Sequence, residues 1–377
     1  MKKNKKIIVP ATSPFFSKND INFIGKNFKL ILNGKSFLSM GKYSLEFEKQ
    51  YAKFIGTKYA VACNSGTSAL EIICRSLRIE KKEVIVPSNT FIASVNAILN
   101  AGCKPVFADC GEDMCLNYES IKNKITNNTK AVMIVHIGGI VSKDILKIKN
   151  LCKQRRLYLI EDAAQAHGTS FNGIKAGAFG VAAGFSFFST KVLTTGEGGM
   201  ITTNSLALVK KMKSIREFGK KKKGIFTNFH TQIGYNWRMQ EVNALMGIAQ
   251  LKNIKKFIKG RQKIAKFYDN QLSELSDIKI ISHNHKNEYN YFKYIVVLNK
   301  FSRIKFHKHL LSNGVQPSGY VYELPLHKQP VFRNYKNLKL PNTEFYCSKH
   351  VCLPIFYGMT TKQAKHVVEV VKKILKK

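Results

Sequence analysis

The sequence predicts an α/β fold built on an open, mostly parallel sheet of about seven strands, followed by a smaller α+β domain. From Tyr59 onward, apolar runs of strand length alternate with helical segments. The strand runs are apolar on both faces, which is typical of a parallel sheet covered by helices on both sides. Beyond Asn204 the pattern becomes mainly helical.

The strands of the large sheet are expected at residues 60–63, 84–86, 105–108, 131–135, 157–160, 182–187 and 200–203. Helical segments lie before and between them, at 43–54, 67–77, 90–100 and 143–155. The last two strand runs follow one another without a long helix between them.

The remainder of the chain predicts a connection between two domains. A long helix at 241–272 carries the chain out of a large domain, residues 1–255 including the N-terminal segment, into a small domain, residues 256–377. The small domain is expected to contain a strand at 291–298, a helix at 301–311 and a final amphipathic helix.

The net charge of +39, from 62 Lys+Arg and 23 Asp+Glu, is compatible with nucleic acid, anionic membranes or anionic substrates as partners. However, the lysines are scattered through every segment, and no aromatic-interleaved basic patch accompanies them. We therefore interpret the charge as solvated surface and expect neither nucleic acid nor membrane as a partner.

The cysteine pattern and the apolar runs indicate a cytoplasmic protein. The eight cysteines include no CxxC pair and are interpreted as reduced thiols. Cys347, His350 and Cys352 lie close together but lack a fourth ligand, so no metal is expected. The apolar run before Pro10 is too short for a signal peptide, and the run at 131–141 is too short and interrupted to span a bilayer.

One lysine stands out from the many in this chain. Lys191 lies between the apolar pair Phe187 and Phe188 and a glycine-rich turn at 196–199. Apolar surroundings lower the proton affinity of a lysine and make it a nucleophile suited to Schiff-base chemistry. The alternative is a strand and a tight turn that happens to carry a lysine.

Further candidates follow the strand runs, where ligands of an open sheet bind. Gly66, Thr67 and Ser68 open a helix and suit a phosphate, although simple N-capping is the alternative. Asp162 follows a buried strand, where an unpaired carboxylate is costly. Phe91 is placed at the rim, or else in the core. Together, a lysine, a carboxylate, a phosphate cradle and an aromatic ring suit pyridoxal 5′-phosphate.

Six segments resemble, in this order, the DegT/DnrJ/EryC1/StrS family of nucleotide-sugar aminotransferases: NSGTSAL, VPSNTFIAS, EDAAQAHG, FSFFSTKVLTTGEGGM, GYNWRMQE and PLHKQPVF. The resemblance extends from about Gly41 to Thr360. It implies the fold of the aspartate-aminotransferase-like enzymes (fold type I) and a homodimer with shared active sites.

The resemblance also implies individual roles. Lys191 forms the Schiff base with the cofactor, and Asp162 pairs with its pyridine nitrogen. Gln165 bonds its phenolic oxygen, and Phe91 stacks on its ring. The implied phosphate contacts are Gly66, Thr67, Ser68 and Ser186, with Asn236 from the neighbouring subunit. Arg238 and His327 are candidate contacts of the partner subunit to an anionic sugar, and the alternative is that they are a surface arginine and a surface histidine.

Lys191 disfavours the dehydratase branch of the family, which carries histidine at this position. The implied reaction is transamination: L-glutamate converts the cofactor to pyridoxamine 5′-phosphate, which then aminates a keto-sugar for surface-polysaccharide or lipopolysaccharide synthesis. TTGEGGM and IGYNWRM are closest to members acting on nucleotide-linked 4-keto-6-deoxy sugars, the perosamine synthases among them. The alternatives are a 3-keto or another acidic keto-sugar, a cofactor-binding regulator without turnover, and a basic protein that binds nucleic acid.

Overall fold

The structure, a computed structural model, describes residues 8–221, 223–225, 228–281 and 288–376. Its strands in chain order are β1 (Tyr59–Cys63), β2 (Glu83–Pro87), β3 (Lys104–Ala108), β4 (Thr129–Val135), β5 (Tyr158–Asp162), β6 (Ser170–Phe171), β7 (Ile174–Lys175), β8 (Ala182–Ser186), β9 (Gly199–Thr203), β10 (Ile278–Ile280), β11 (Tyr294–Leu298) and β12 (His350–Leu353). Within the described residues, a seven-stranded sheet has the order β1-β9-β8-β5-β4-β2-β3.

This sheet is mostly parallel, as predicted. Five neighbouring strands run parallel to one another, in the order β3, β2, β4, β5 and β8. The strand β9 is antiparallel to both of its neighbours, β8 and β1. An antiparallel neighbour needs no helical crossover, and this explains why no long helix separates β8 from β9. The carboxyl ends of the other six strands consequently meet at one edge of the sheet.

Helices cover both faces of the sheet. In chain order they are α1 (Lys18–Leu30), α2 (Lys42–Ile55), α3 (Gly66–Ser76), α4 (Ile92–Asn100), α5 (Tyr118–Lys124), α6 (Ile145–Gln154), α7 (Leu206–Arg216), α8 (Glu241–Leu272), α9 (Arg303–Ser312), α10 (Pro341–Lys349) and α11 (Thr361–Leu375). Alternate strand residues face opposite layers: Val61 and Ile201 pack with α3, α4 and α7, whereas Ala62 and Met200 pack with α2, α6 and α8. The sheet is thus the middle of three layers.

A second core lies in the C-terminal part of the chain. The sheet β10-β11-β12 packs with α9, α11 and the end of α8. Val9, which the sequence assigns to the large domain, belongs to this second core and pairs with Val315. The N-terminal segment therefore starts on the small domain before it reaches α1.

The interpretation of the cysteines as reduced thiols concerns the whole chain. All eight lie within the described residues, and each is a buried thiol without a disulfide partner. Within the described ranges, no helix has the length and apolar character of a membrane span. No group of three or more His, Cys, Asp or Glu side chains in those ranges is arranged to hold a metal ion, and the ring nitrogens of His350 are bonded to backbone atoms of Tyr346 and Val321.

Candidate active site

A cavity of about 270 Å³ lies at the edge where the carboxyl ends of the parallel strands meet. Its walls come from the segments that follow β1, β2, β5 and β8, together with one residue of the C-terminal part, Tyr322. The predicted residues that line it are Gly66, Thr67, Phe91, Asp162, Gln165, Ser186 and Lys191. The sheet topology thus brings together candidates from four separate stretches of the sequence.

Lys191 is held in a mostly buried position by the turn that follows β8. Its backbone N–H donates to the Phe188 carbonyl (2.9 Å), and its Nζ lies 4.7 Å from the centre of the Phe292 ring. Burial lowers the pKa of Lys191 to about 8, Asp162 opposes this shift, and Lys293 adds to it. A substantial fraction of the amine is therefore neutral near physiological pH, as a nucleophile or base requires.

Asp162 is the last residue of β5, and its carboxylate is 6% exposed. Oδ2 accepts from the Ser94 hydroxyl (2.6 Å), and Oδ1 accepts from the Ala164 N–H (3.1 Å). Burial raises the pKa of Asp162, and these hydrogen bonds lower it. A buried carboxylate with neutral donors on one side and a cavity on the other is suited to receive a cationic group.

Glu161, the neighbouring acid, has a structural role. Successive strand residues point to opposite faces, so its carboxylate points away from that of Asp162. It accepts from the N–H groups of Gly177 (2.7 Å), Phe179 (2.8 Å) and Gly180 (2.7 Å), and it pairs with His136 at 3.0 Å. These bonds satisfy a fully buried carboxylate and fasten the segment before β8 to the end of β5.

The start of α3 has the form of a phosphate cradle. Ser65 caps the helix by accepting from the Ser68 N–H (3.1 Å), whereas the N–H groups of Gly66 and Thr67 lie in the first turn, where no helical carbonyl can accept them. A Cβ on Gly66 would approach the Ser186 Cβ to 2.7 Å, so glycine lets the start of α3 lie close to the end of β8. These features fit the phosphate of pyridoxal 5′-phosphate, and Asp162 fits its pyridinium.

Ser68 is turned away from this cradle. Its hydroxyl donates to Asn64 (2.6 Å), its N–H is bonded to the Ser65 cap, and it does not line the cavity. Its hydroxyl is bonded within the helix start, and its contact with a phosphate stays a prediction.

Gln165 and Phe91 both meet Tyr322, which the sequence did not single out. The Gln165 amide oxygen accepts from the Gly138 N–H (2.7 Å), and one of its amide hydrogens goes to the Tyr322 hydroxyl (3.1 Å). A second amide hydrogen remains to meet a ligand oxygen. The Phe91 ring lies at the N-terminus of α4, 56% exposed and 5.8 Å from the Tyr322 ring.

Three predicted contacts lie away from this cavity. The backbone of Asn236 forms an isolated antiparallel β-bridge with that of Glu217, and the Arg238 guanidinium lies 5.2 Å from the centre of the Phe218 ring. Their action in a neighbouring subunit stays a prediction. The expectation for His327 needs correction, because its ring is buried and both nitrogens are engaged, Nδ1 with Ser88 (2.7 Å) and Nε2 with Glu344 (3.0 Å). It fastens two segments together and has no ring nitrogen left for a sugar.

Two glycines of the turn after Lys191 are closely packed. A Cβ on Gly198 would approach the Thr195 hydroxyl to 2.6 Å and the Met239 methyl to 3.0 Å. A Cβ on Gly199 would come within 2.1 Å of the Ser65 carbonyl oxygen. Close internal packing therefore requires glycine at positions 198 and 199.

A buried lysine and a carboxylate that share a cavity with a phosphate cradle, on an open α/β sheet, define a pyridoxal-phosphate enzyme of fold type I. Residues 19–372 match the model of the DegT/DnrJ/EryC1/StrS aminotransferase family, and the chain belongs to that family. The aminotransferases of this family depend on pyridoxal phosphate, which confirms the expected enzyme class and cofactor.

Individual relatives match over nearly their whole length. The GDP-perosamine synthase of Vibrio cholerae is 34% identical, covering 97% of this chain and 98% of its own. The UDP-N-acetyl-3-dehydro-α-D-glucosamine 3-aminotransferase of Acidithiobacillus ferrooxidans is 31% identical, covering 92% of each. The solved structure of PseC from Helicobacter pylori, an aminotransferase involved in pseudaminic acid biosynthesis, is 27% identical with a TM-score of 0.91, covering 99% of this chain and 100% of its own.

Proposed function

We propose that this enzyme transfers an amino group from L-glutamate to a nucleotide-linked 4-keto-6-deoxy sugar, and so supplies an amino sugar for surface polysaccharide or lipopolysaccharide. The observation that carries the proposal is that Lys191 and Asp162 line the same cavity. The similarity to the Vibrio cholerae GDP-perosamine synthase, which covers almost the whole of both chains, supports the acceptor class.

The residues divide the work as follows. Pyridoxal phosphate, when bound, supplies an electron sink and carries the amino group between the two substrates. The first-turn N–H groups of α3, with Ser186, hold its phosphate, and Asp162 holds a proton on its pyridine nitrogen. Lys191 removes the proton from the α-carbon of the donor and later delivers one to the sugar carbon that receives the amine. Its pKa of about 8 suits both transfers near neutral pH.

A second copy of the chain completes the site in this proposal. Phe91 and Phe188 line the cavity and are 56% and 44% exposed, respectively. Large apolar side chains left open at a cavity rim are typical of a surface that a partner covers. Asn236 and Arg238, which lie away from the cavity of their own chain, would reach the site of the partner in such a homodimer.

A 3-keto nucleotide sugar is the second candidate acceptor. The observation that favours it is the similarity to the Acidithiobacillus ferrooxidans enzyme, whose name specifies amination at carbon 3. The two acceptors share the same cofactor chemistry and differ in the position of the ketone relative to Lys191.

A direct comparison of acceptors tests the proposal. The purified holoenzyme is incubated with L-glutamate and either a nucleotide-linked 4-keto-6-deoxy sugar or a 3-keto one, and the amino sugar is detected by mass spectrometry. We expect product from the 4-keto acceptor and none from the same reaction with Lys191→Ala. Product from the 3-keto acceptor alone would establish the second candidate, and product from neither would refute both.

A further inference from the structure

Lys191 also lines a second, much smaller cavity, which we call the donor pocket. Its volume is about 20 Å³, and Thr12, Ser13, Ser189 and Arg261 are among its other lining residues. One or two water-sized atoms occupy such a volume. The donor pocket therefore admits the oxygens of a small polar group but excludes a sugar ring.

Arg261 gives this pocket an unusual charge. It lies within α8, is 5% exposed, and its Nη1 donates to the carbonyls of Tyr291 (3.0 Å) and Ile355 (2.8 Å). Among the described residues it has no carboxylate partner, and the residues outside them include no Asp or Glu. Burial lowers the pKa of Arg261 to about 10. A buried guanidinium bonded only to carbonyls is costly unless an anion also meets it.

Two lysines add to the positive charge around Arg261. The amines of Lys191 and Lys293 lie 4.7 and 4.9 Å from the centre of the same ring, that of Phe292. Lys293 lowers the pKa of Lys191, and Arg261 lowers that of Lys293, so Lys293 is repelled by both of the other cations. Asp162 is the carboxylate that opposes the lowering of the pKa of Lys191. An anionic ligand at the donor pocket would relieve this repulsion.

The N-terminal segment lines another part of the donor pocket and is held against α8 by several contacts. The side chain of Gln250, which is 2% exposed, donates to the Phe15 carbonyl (2.7 Å). The Phe15 ring lies edge-on to Tyr357 (5.0 Å) and Phe257 (6.2 Å). These contacts fix the N-terminal segment against α8, and Thr12 and Ser13 of that segment line the donor pocket together with Arg261. No acidic side chain is among the described residues that line the pocket.

We propose that the donor pocket binds the α-carboxylate of the amino donor and that Arg261 is its cationic partner. Lys191 must take the proton from the α-carbon of the donor, and the α-carboxylate is attached directly to that carbon. A cation that shares a small pocket with Lys191 is therefore within reach of the carboxylate when the proton is in reach of the amine. This inference rests on the proposed function, because it assumes an amino acid as the donor.

The test compares L-glutamate with isoglutamine, in which the α-carboxylate is replaced by a carboxamide. The rate at which each converts the bound cofactor to its pyridoxamine form is followed by absorbance in the wild-type holoenzyme, Arg261→Met, Arg261→Lys and Lys259→Met. Lys259→Met is the matched control, since it removes an exposed charge from the same helix. We expect a preference for glutamate of about 100-fold in the wild type and the control. We expect Arg261→Met to reduce it to about threefold, and Arg261→Lys to retain an intermediate preference.

An unchanged preference in Arg261→Met would overturn the inference and leave Arg261 as a clamp for two carbonyls. Because those carbonyls lose their donor in Arg261→Met, circular dichroism must show that the variant is folded. If it is not, Arg261→Lys decides the question: a loss of preference of at least about tenfold supports the inference, and full preference refutes it. No conversion by either donor in the wild type would refute the proposed function itself, and the donor pocket with it.

Discussion

Replacement of Ser94 by alanine would remove one of the two hydrogen bonds that hold the Asp162 carboxylate. Ser94 is fully buried, and its hydroxyl lies 2.6 Å from Oδ2. The bond that remains, from the Ala164 N–H to Oδ1, is 3.1 Å long. A hydrogen bond to a charged group contributes about 1.5–3 kcal/mol. The bond from Ser94 is short, buried and directed at an anion, so we place its contribution at about 2 kcal/mol.

The hydrogen bond that is lost stabilises the ionised form of Asp162, which is the form that the cofactor needs. The hydrogen bond from Ser94 lowers the pKa of Asp162, so its removal favours the neutral acid, which cannot hold a proton on the pyridine nitrogen. We therefore expect Ser94→Ala to weaken the binding of pyridoxal phosphate by about 2 kcal/mol, or roughly 30-fold in Kd.

Titration of the apo-protein with pyridoxal phosphate, followed by absorbance, measures this Kd. Ser76→Ala is the matched control, because it removes another buried helical hydroxyl, one that donates to the Ile72 carbonyl (2.6 Å) and does not line the cavity. A Kd for Ser94→Ala within twofold of that of the control would refute the role assigned to the Ser94–Asp162 pair.

Three further predictions concern Lys191, Glu161 and Gly66. Burial lowers the pKa of Lys191 from its usual 10.5 to about 8, so the charged amine destabilises the folded apo-protein below pH 8, and this cost disappears as the pH rises to 10.5. Denaturant unfolding at pH 7 should therefore show Lys191→Met to be more stable than the wild type by about 3 kcal/mol. A gain of equal size at about pH 10.5 would contradict this prediction. Glu161→Ala leaves His136 and three buried N–H groups unpaired, so the free energy of unfolding should fall by about 3–5 kcal/mol, and a loss below about 1 kcal/mol would contradict the structural role. Gly66→Ala should raise the Kd for pyridoxal phosphate about tenfold, because its Cβ would crowd Ser186, whereas Gly25→Ala, whose Cβ meets open space, should leave it unchanged.

The sequence predicts the large sheet well because each strand run has its own local pattern. Continuous apolar runs indicated strands buried on both faces, and the absence of a helix before β9 agrees with its antiparallel direction. The sequence assigned Val9 to the large domain because it has no local pattern that indicates otherwise. Its position in the second core depends on pairing with Val315, a contact between distant parts of the chain.

In the candidate site too, residues with a local sequence pattern were predictable, whereas residues placed by contacts between distant parts of the chain were not. Lys191 and Asp162 were predictable, since each is an ionisable residue beside an apolar run. Ser94 could have been found, because it lies one helical turn after Phe91 at the start of α4. Tyr322 and Arg261 could not, since only tertiary packing brings a C-terminal segment and the middle of α8 to the cavities beside Lys191. For His327, the sequence could not reveal that Ser88 and Glu344 occupy both ring nitrogens.

The most direct test of the role of Lys191 is the absorbance spectrum of the protein after addition of pyridoxal phosphate and removal of the excess. We expect the wild type to show the band of a lysine-bound cofactor, and L-glutamate to convert it to the spectrum of the pyridoxamine form. Lys191→Ala should lack that band, while Lys259→Met, which removes an exposed lysine, should keep it. A band of the same position and intensity in Lys191→Ala would contradict the assignment of Lys191 as the cofactor-binding lysine.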